Sequence, residues 1–135
     1  MQLTRHTDYA LRLLIHLAGT DGGRVQIAEV ADQQAISRTH LMKIANELAR
    51  GGIIEAVRGR GGGIRLARDP AEIGLGQVIA VTEPRCALVD CTGCRLARRC
   101  NLPGILDRAQ DAFAAVLAAH TLADIVRERR PAPAD

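Results

Sequence analysis

The sequence predicts a mainly α-helical fold, in which a winged helix-turn-helix unit is followed by a cysteine-bearing loop and a long C-terminal helix. Three observations predict it. Only Tyr9 and Phe113 are aromatic, so the core has to be built from aliphatic residues and alanine, which suits helices better than a β-sandwich. Apolar residues recur at helical spacing on both sides of one glycine-rich hairpin. All four cysteines fall within residues 86–100.

Three helical segments are expected before residue 52. The first covers residues 2–18, with Thr4 or Thr7 as its N-cap. IAEVADQQA repeats the helical period from residue 27, and Ser37 is a good N-cap for a third helix, RTHLMKIANELAR, which Gly51 and Gly52 end. A short helix, a tight turn and a serine-capped helix form a helix-turn-helix. The apolar stripe of the first helix consists of Leu3, Ala10, Leu11, Leu14, Ile15 and Ala18.

A β-hairpin is expected directly after the third helix. Its strand-like segments are IIEAVRG (53–59) and IRLAR (64–68), and residues 60–63, Arg-Gly-Gly-Gly, join them. A hairpin in this place is the wing of a winged helix. As a phosphate cradle the GRGGG stretch is weak, because no P-loop lysine and serine follow it.

The C-terminal half is expected to be helical around the cysteine loop. Residues 70–84 form a turn and a short helix, a long amphipathic helix starts at Pro103, and Thr121 caps a short last helix with Asp124 at its third position. The apolar stripe of the long helix is either intrachain core or the seam of a two-fold dimer, and we expect the homodimer. The expected units are residues 1–83 (winged helix-turn-helix), 84–102 (cysteine loop), 103–130 (dimerisation and last helices) and 131–135 (disordered tail).

Charge is distributed unevenly along the chain. Residues 35–68 hold seven arginine and lysine residues against two glutamates, although the whole chain carries a net charge of only +3. A basic block on a nearly neutral chain indicates a polyanionic partner. No apolar run is long enough to span a membrane, and the charged N-terminus does not resemble a signal peptide, so we expect a cytoplasmic protein. Structural disulfides are improbable in that reducing compartment.

The cysteines follow the pattern C-x4-C-x2-C-x5-C from Cys86. The first three share the C-x4-C-x2-C spacing of plant-type ferredoxins, and thiolates select iron–sulfur clusters or zinc. A structural zinc site and unligated thiols remain alternatives, as does an electron carrier, in which the basic block would have no purpose. No catalytic set of serine, histidine and carboxylates is recognisable, so an enzyme is not expected. The arginines that surround the thiols are Arg85, Arg95, Arg98 and Arg99.

Three stretches resemble a known family. They are MQLTRHTDYALRLLIHLA, ISRTHLMKIANELARGGIIEAVRGRGGGIRLARDPAEI and HTLADIV, and the resemblance covers residues 1–128. The chain looks like the iron–sulfur winged-helix regulators that include NsrR and IscR, with SRTHLMKI and LVDC closer to the NsrR branch. The resemblance implies a dimeric repressor of a palindromic operator, whose cluster nitric oxide destroys so that the DNA is released. The alternative is a regulator that senses iron or cluster supply, or redox state, as IscR-like proteins do.

The resemblance also implies a ligand set. Three loop cysteines match Cys91, Cys94 and Cys100, and a carboxylate near the N-terminus matches Asp8, which in the dimer can come from the partner subunit. Here the gap between the first two cysteines is shorter than in relatives, and Cys86 has no counterpart. Cys86 therefore rivals Asp8 for the fourth position. We expect a 4Fe–4S cluster in preference to a 2Fe–2S cluster.

The expected DNA contacts come from the recognition helix and the wing. Arg38, Thr39, His40 and Lys43 lie in the N-terminal half of the third helix, where side chains reach the major groove. In the wing, phosphate or minor-groove contacts are expected from Arg58, Arg60 and Arg65. Leu41, Ile44 and Leu48 are assigned to the core.

Overall fold

The structure, a computed structural model, describes residues 2–126. The predicted disordered tail at 131–135, and residues 127–130 of the predicted last unit, lie outside the described residues. No helix in the described range is long and apolar enough to cross a membrane. The helices and strands are α1 (Arg5–Ala18), α2 (Ile27–Gln34), α3 (Arg38–Arg50), β1 (Ile54–Val57), β2 (Gly63–Leu66), α4 (Leu75–Thr82), α5 (Leu102–Ala118) and α6 (Leu122–Ile125).

Local capping signals set the starts of α1 and α3. Thr4 caps α1, because its hydroxyl accepts the backbone N–H of Thr7 at 3.2 Å. Ser37 caps α3 in the same way, accepting the backbone N–H of His40 at 3.4 Å. Between α2 and α3 the chain turns through Ala35, whose φ of +53° is left-handed. The helix-turn-helix predicted from the sequence is therefore present.

The core lies where α1, α2 and α3 meet. Leu41, Ile44 and Leu48 of α3 are fully buried, as predicted. On α1 the buried stripe passes through Leu13 and Leu17, whereas the predicted Ile15 is 40% exposed. The prediction of Ile15 was wrong because apolar residues occupy more than one face of α1, and only packing against α3 selects the buried face. The full buried set of α1 is Thr7, Ala10, Leu13, Leu14 and Leu17.

The wing is a two-stranded antiparallel hairpin. Its register runs from Ile54 opposite Leu66 to Val57 opposite Gly63. Both strands are shorter than predicted: β1 ends at Val57, before the turn at the hairpin tip, and β2 ends at Leu66, where its pairing with Ile54 ends. Val25, in the connection before α2, forms a bridge with Ile64 through two backbone hydrogen bonds of 2.9 Å and so adds a third, minimal strand.

The C-terminal elements return to the first three helices through α4 and α6. Thr121 and Asp124 form the predicted capping box of α6, and Leu122 is fully buried. The long helix α5 packs on α4, where Gly76 lies against Ala118. No residue of α5 is buried in the described chain, and Val116 is 62% exposed, so its apolar stripe is not intrachain core.

Candidate nucleic-acid interface and cysteine loop

The recognition helix α3 presents one apolar and one polar face. Its buried residues, Leu41, Ile44, Ala45 and Leu48, pack in the core, while Arg38, Thr39 and Lys43 at its N-terminal half are exposed. The Arg38 guanidinium lies 3.5 Å from the carboxylate of Asp32, and both side chains are more than half exposed. An exposed ion pair of this length contributes little to stability, so Arg38 is free to turn toward another acceptor.

The tip of the wing carries exposed arginines on a glycine backbone. Gly59, Gly61 and Gly63 all have positive φ values, of +92°, +68° and +142°. Arg58 and Arg60 are exposed beside them. Arg65 differs from these two, because it is half-buried and pairs across the hairpin with Glu55 at 3.0 Å. Its charge is thus partly neutralised within the chain.

Two side chains that the sequence did not single out hold the wing tip. The guanidinium of Arg24 donates to the carbonyl of Gly61 at 3.0 Å, and the amide of Gln26 donates to the carbonyl of Gly62 at 2.6 Å. Both residues flank Val25, the residue that bridges to β2. The wing is therefore fixed to the segment that leads into α2. No local pattern could have revealed these contacts, since the partners are 36 and 37 residues apart.

The recognition helix and the wing border one open groove. Arg38 and Met42 line it from α3, and Val57 and Ile64 line it from the hairpin. Arg38 is the basic side chain that lines this groove, and the exposed Arg58 directly follows the lining residue Val57 in the hairpin, so the groove joins α3 to the hairpin in one surface. A polyanion lying there would meet both.

His40 differs from its neighbours on α3 because it faces α1. Its Nε2 lies 3.3 Å from Nδ1 of His6, and its ring meets the ring of Tyr9 edge-on, with the centroids 5.2 Å apart. The other nitrogen of His6, Nε2, donates to the carboxylate of Glu47. His40 is half-buried in this arrangement, and its expected contact with the major groove stays a prediction.

All four cysteines are exposed free thiols in the loop between α4 and α5. The backbone N–H of Cys94 donates to the carbonyl of Cys91 at 3.1 Å, and Gly93 has a φ of +69°, so these two cysteines flank one tight turn. The thiol of Cys100 accepts the backbone N–H of Leu102 at 3.5 Å, at the start of α5. Cysteine thiolates are the donors that iron–sulfur clusters use, so the donor type present in this loop fits such a cluster.

Within residues 2–126 of one chain, no three histidine, cysteine or acidic side chains are placed to hold a metal ion together. The proposed fourth ligand, Asp8, lies on α1 and pairs with Arg12 at 3.0 Å. Its rival Cys86 lies at the start of the loop, where its carbonyl accepts the amide of Gln110 at 2.9 Å. The ligand assignment therefore stays a prediction.

Hydrogen bonds organise the approach to the cysteine turn. The backbone N–H of Thr92 donates to the carboxylate of Asp90 at 2.8 Å, next to Cys91. Hydrogen bonds from the backbone and then from the side chain of Thr92 lower the pKa of Asp90, against a smaller effect of burial. Asp90 thus keeps its negative charge beside the first cysteine of the turn. At the beginning of the loop, Arg85 pairs with Asp111 of α5 at 2.8 Å.

Glu83 joins the start of the cysteine loop to the first turn of α1. Its carboxylate accepts the hydroxyl of Thr4 at 2.9 Å and the hydroxyl of Thr7. Partial burial raises the pKa of Glu83, but the hydrogen bonds from Thr7 and Thr4, together with nearby His6, outweigh it and hold the pKa below its usual value. Glu83 therefore stays ionised at neutral pH.

A family model described as "Rrf2: Iron-dependent Transcriptional regulator" matches residues 3–128. Solved structures are similar over nearly the whole chain. The cysteine regulator CymR (YrzC) of B. subtilis is 25% identical, with 96% of this chain and 99% of that chain covered and a TM-score of 0.75. The oxidised form of CymR from Staphylococcus aureus is 26% identical, with coverages of 96% and 99% and a TM-score of 0.77. The structure of T. potens IscR is 24% identical, with coverages of 100% and 93% and a TM-score of 0.78.

Proposed function

The chain belongs to the Rrf2 family of transcriptional regulators, and we propose that it is a dimeric repressor whose operator affinity depends on an iron–sulfur cluster in the cysteine loop. The family consists of DNA-binding regulators and not of enzymes. The observation that carries the proposal is the groove that joins α3 to the hairpin, with Arg38 lining it and the exposed Arg58 and Arg60 following its lining residue Val57 in the wing.

The DNA contacts proposed for this surface follow from its chemistry. Arg38 is placed to donate two hydrogen bonds to a guanine, with Thr39 and Lys43 beside it. Arg58 and Arg60 at the wing tip supply charge for phosphates or a narrow minor groove. Arg65 contributes less, because its guanidinium already pairs with Glu55 at 3.0 Å.

A homodimer is proposed because α5 exposes its apolar stripe. Ile105 and Phe113 are 48% and 36% exposed, and they share a helix face with the still more exposed Val116. A second copy of the same helix would remove this surface from water, which is the main driving force of such association. Two recognition helices related by a two-fold axis would then read the two halves of a palindrome.

The cluster would be held by Cys91, Cys94 and Cys100, with Asp8 as the fourth ligand and Cys86 as its rival. We propose 4Fe–4S in preference to 2Fe–2S. Such a cluster supplies iron that reacts with small diatomic molecules, and an oxygen ligand such as Asp8 binds iron less firmly than a thiolate does. We propose nitric oxide as the signal, on the resemblance of SRTHLMKI and LVDC to the NsrR branch.

The alternative signal is iron or cluster supply, or redox state, with the same fold and the same DNA surface. It is favoured by the likeness to the cysteine regulator CymR of B. subtilis and to the oxidised form of CymR from Staphylococcus aureus. Four exposed thiols suit either signal.

The route from the loop to the DNA surface would pass through α1. Glu83, the last residue before the cysteine loop, holds the first turn of α1, and α1 packs directly on α3. A change in the loop that moved Glu83 would therefore act on the helix that supports the recognition helix. Linkage of this kind typically changes affinity by about 5–150-fold.

The proposal is tested with duplexes that the wild-type chain, reconstituted anaerobically with iron and sulfide, enriches from a random pool. Cluster-loaded protein is expected to bind an enriched palindrome tightly, apoprotein weakly, and loaded protein treated with stoichiometric nitric oxide weakly. Equal binding by loaded protein and apoprotein would reject control by a cluster. Binding that responds to iron starvation but not to nitric oxide would favour the alternative signal. Failure to enrich any sequence would reject the DNA-binding function.

A further inference from the structure

His6 of α1 contacts two side chains of the recognition helix at once. Its Nε2 donates to the carboxylate of Glu47, and its Nδ1 lies 3.3 Å from Nε2 of His40. The planes of the His6 and His40 rings are inclined by 26°, with centroids 5.5 Å apart. The ring of Tyr9 meets the ring of His40 edge-on. The two contacts of His6 therefore hold α3 at two points, about 10 Å apart along its axis at a helical rise of about 1.5 Å per residue.

The donors and acceptors of this cluster follow from the carboxylate. Because an ionised carboxylate only accepts hydrogen bonds, Nε2 of His6 carries a proton. In a neutral imidazole the other nitrogen, Nδ1, is then an acceptor, and Nε2–H of His40 donates to it. With His6 neutral, the hydrogen bonds run in one direction, from His40 through His6 to Glu47. Each of these bonds fixes an angle as well as a distance between α1 and α3.

We propose that His6 is a positioning residue for DNA reading: by holding His40 and Glu47 it sets the orientation of α3 relative to the wing, and so sets where Arg38 and Lys43 meet the bases. The inference rests on the DNA-binding function proposed above. His6 itself does not read the DNA; it acts through His40, which lies between Thr39 and Leu41 in the N-terminal half of the helix.

The cluster adds orientation to an interface that is already held together by apolar packing. Leu13 and Leu14 of α1 and Leu41 and Leu48 of α3 are fully buried in the same core. The side chains of His6 and Glu47 are 22% and 32% exposed at the edge of that core. Polar contacts at the edge of a packed interface contribute less to stability than its apolar centre does, but they specify geometry. Loss of the cluster should therefore misplace α3 without unfolding the chain.

The test compares specific and non-specific DNA affinity. His6→Phe keeps an aromatic ring beside His40 but removes both hydrogen bonds. It is expected to weaken binding to the wild-type's enriched duplex on the order of tenfold, because base contacts depend on placement, while binding to a scrambled duplex stays the same. His6→Gln should restore much of the loss, since its amide nitrogen can donate to Glu47 and its oxygen can accept from His40. His16→Phe, the same change at the far end of α1, is the control and should bind as the wild type does.

Each outcome decides between roles. An unchanged ratio of specific to scrambled affinity in His6→Phe would overturn the positioning role. If both affinities fall by the same factor, the role of His6 is purely structural. Failure of His6→Gln to restore binding would overturn the assigned hydrogen bonds. Thermal unfolding of each variant, followed by circular dichroism, shows that the compared proteins are folded. The proposed function fails separately, if the wild type itself enriches no duplex.

Discussion

The carboxylate of Glu83 accepts both the backbone N–H and the hydroxyl of Thr4, at 3.1 and 2.9 Å, across 79 residues of sequence. Thr4 is the N-cap of α1, and Glu83 follows the last residue of α4. One ionised group therefore holds the first turn of the chain's first helix and the point where the cysteine loop begins. A negative charge at a helix N-terminus is also favoured by the helix dipole.

The lowered pKa of Glu83 predicts that the folded protein loses stability in acid. Since the pKa of Glu83 is lowered in the folded protein, the ionised form stabilises the fold above the usual value of 4.5, and this contribution is lost as pH falls through the folded pKa. Glu83→Gln is expected to unfold more easily than the wild type at pH 7, by about 1–2 kcal/mol, and the difference should shrink below about pH 4.5. Urea unfolding at several pH values measures both quantities.

The matched control for this prediction is Glu29→Gln, on α2. Glu29 is exposed, and among the hydrogen bonds of the described chain its carboxylate accepts only from the side-chain amide of Gln33, at 3.3 Å. Glu29 also lies in the first turn of a helix, so Glu29→Gln should lose only the contribution of the helix dipole, about 0.3–1 kcal/mol at pH 7, and not the contacts that Glu83 makes. A Glu83→Gln protein with wild-type stability at pH 7 would show that the contacts with Thr4 and Thr7 contribute nothing.

The wing arginines should differ in their effect on the salt dependence of DNA binding. Arg60→Ala is expected to flatten the plot of log affinity against log salt by about one unit, because one phosphate contact is lost. Arg65→Ala should flatten it less, since Glu55 already neutralises part of the Arg65 charge. Fluorescence anisotropy with the selected duplex at four or five salt concentrations gives the slopes. Arg108→Ala, on α5, should leave the slope unchanged, and an unchanged slope in Arg60→Ala would remove the wing from the interface.

A side chain at Gly63 is expected to destabilise the wing. Gly63 has a φ of +142°, and a Cβ there would lie 2.7 Å from the carbonyl oxygen of Val25. Gly63→Ala should therefore break the bridge between Val25 and β2 and destabilise the protein by about 1–3 kcal/mol. Gly19→Ala is the control, because Gly19 has ordinary helical angles and its nearest contact would be 3.4 Å. Thermal unfolding compares the two; equal midpoints would mean that the wing accommodates a side chain at Gly63.

Features with a local signal could be predicted from the sequence. The cap at Ser37, the glycine-rich hairpin and the capping box of Thr121 and Asp124 each depend on residues within a few positions, and each is present. The helix-turn-helix and the wing follow from them. The buried face of α1 was predicted less well, because a helix with apolar residues on several sides does not state which of them meets its neighbours.

The contacts that connect the elements could not be predicted in this way. Glu83 meets Thr4, and His6 meets His40 and Glu47, over separations of 79, 34 and 41 residues. Periodicity and capping rules describe only neighbours in sequence, whereas these contacts depend on how α1 packs against α3 and α4. His40 illustrates the difference. Its position in the N-terminal half of α3 indicated a base contact, and only the packing brings its ring against Tyr9 and His6.

The ligand set predicts an ordered pattern of cluster loss. Alanine at Cys91, Cys94 or Cys100 should abolish the cluster, because a thiolate bond to iron is lost in each case. Asp8→Ala should weaken or abolish it, and Cys86→Ala should leave it intact. Anaerobic visible absorption with iron and sulfide analysis measures the cluster in each variant, and Asp32→Ala, an exposed carboxylate on α2, serves as the control.

The decisive comparison is between Asp8 and Cys86. The side chain of Asp8 already has a partner, whereas Cys86 is held only through its backbone carbonyl in the hydrogen bonds of the described chain. Asp8 would have to exchange its ion pair with Arg12, at 3.0 Å, for iron, so Arg12→Ala should not remove the cluster. Cys86 is held through its backbone carbonyl by Gln110, which leaves its thiol free to turn. A wild-type spectrum in Asp8→Ala together with cluster loss in Cys86→Ala would give the fourth position to Cys86. The cluster would then be bound by thiolates from one loop, and the first helix would have no direct bond to it.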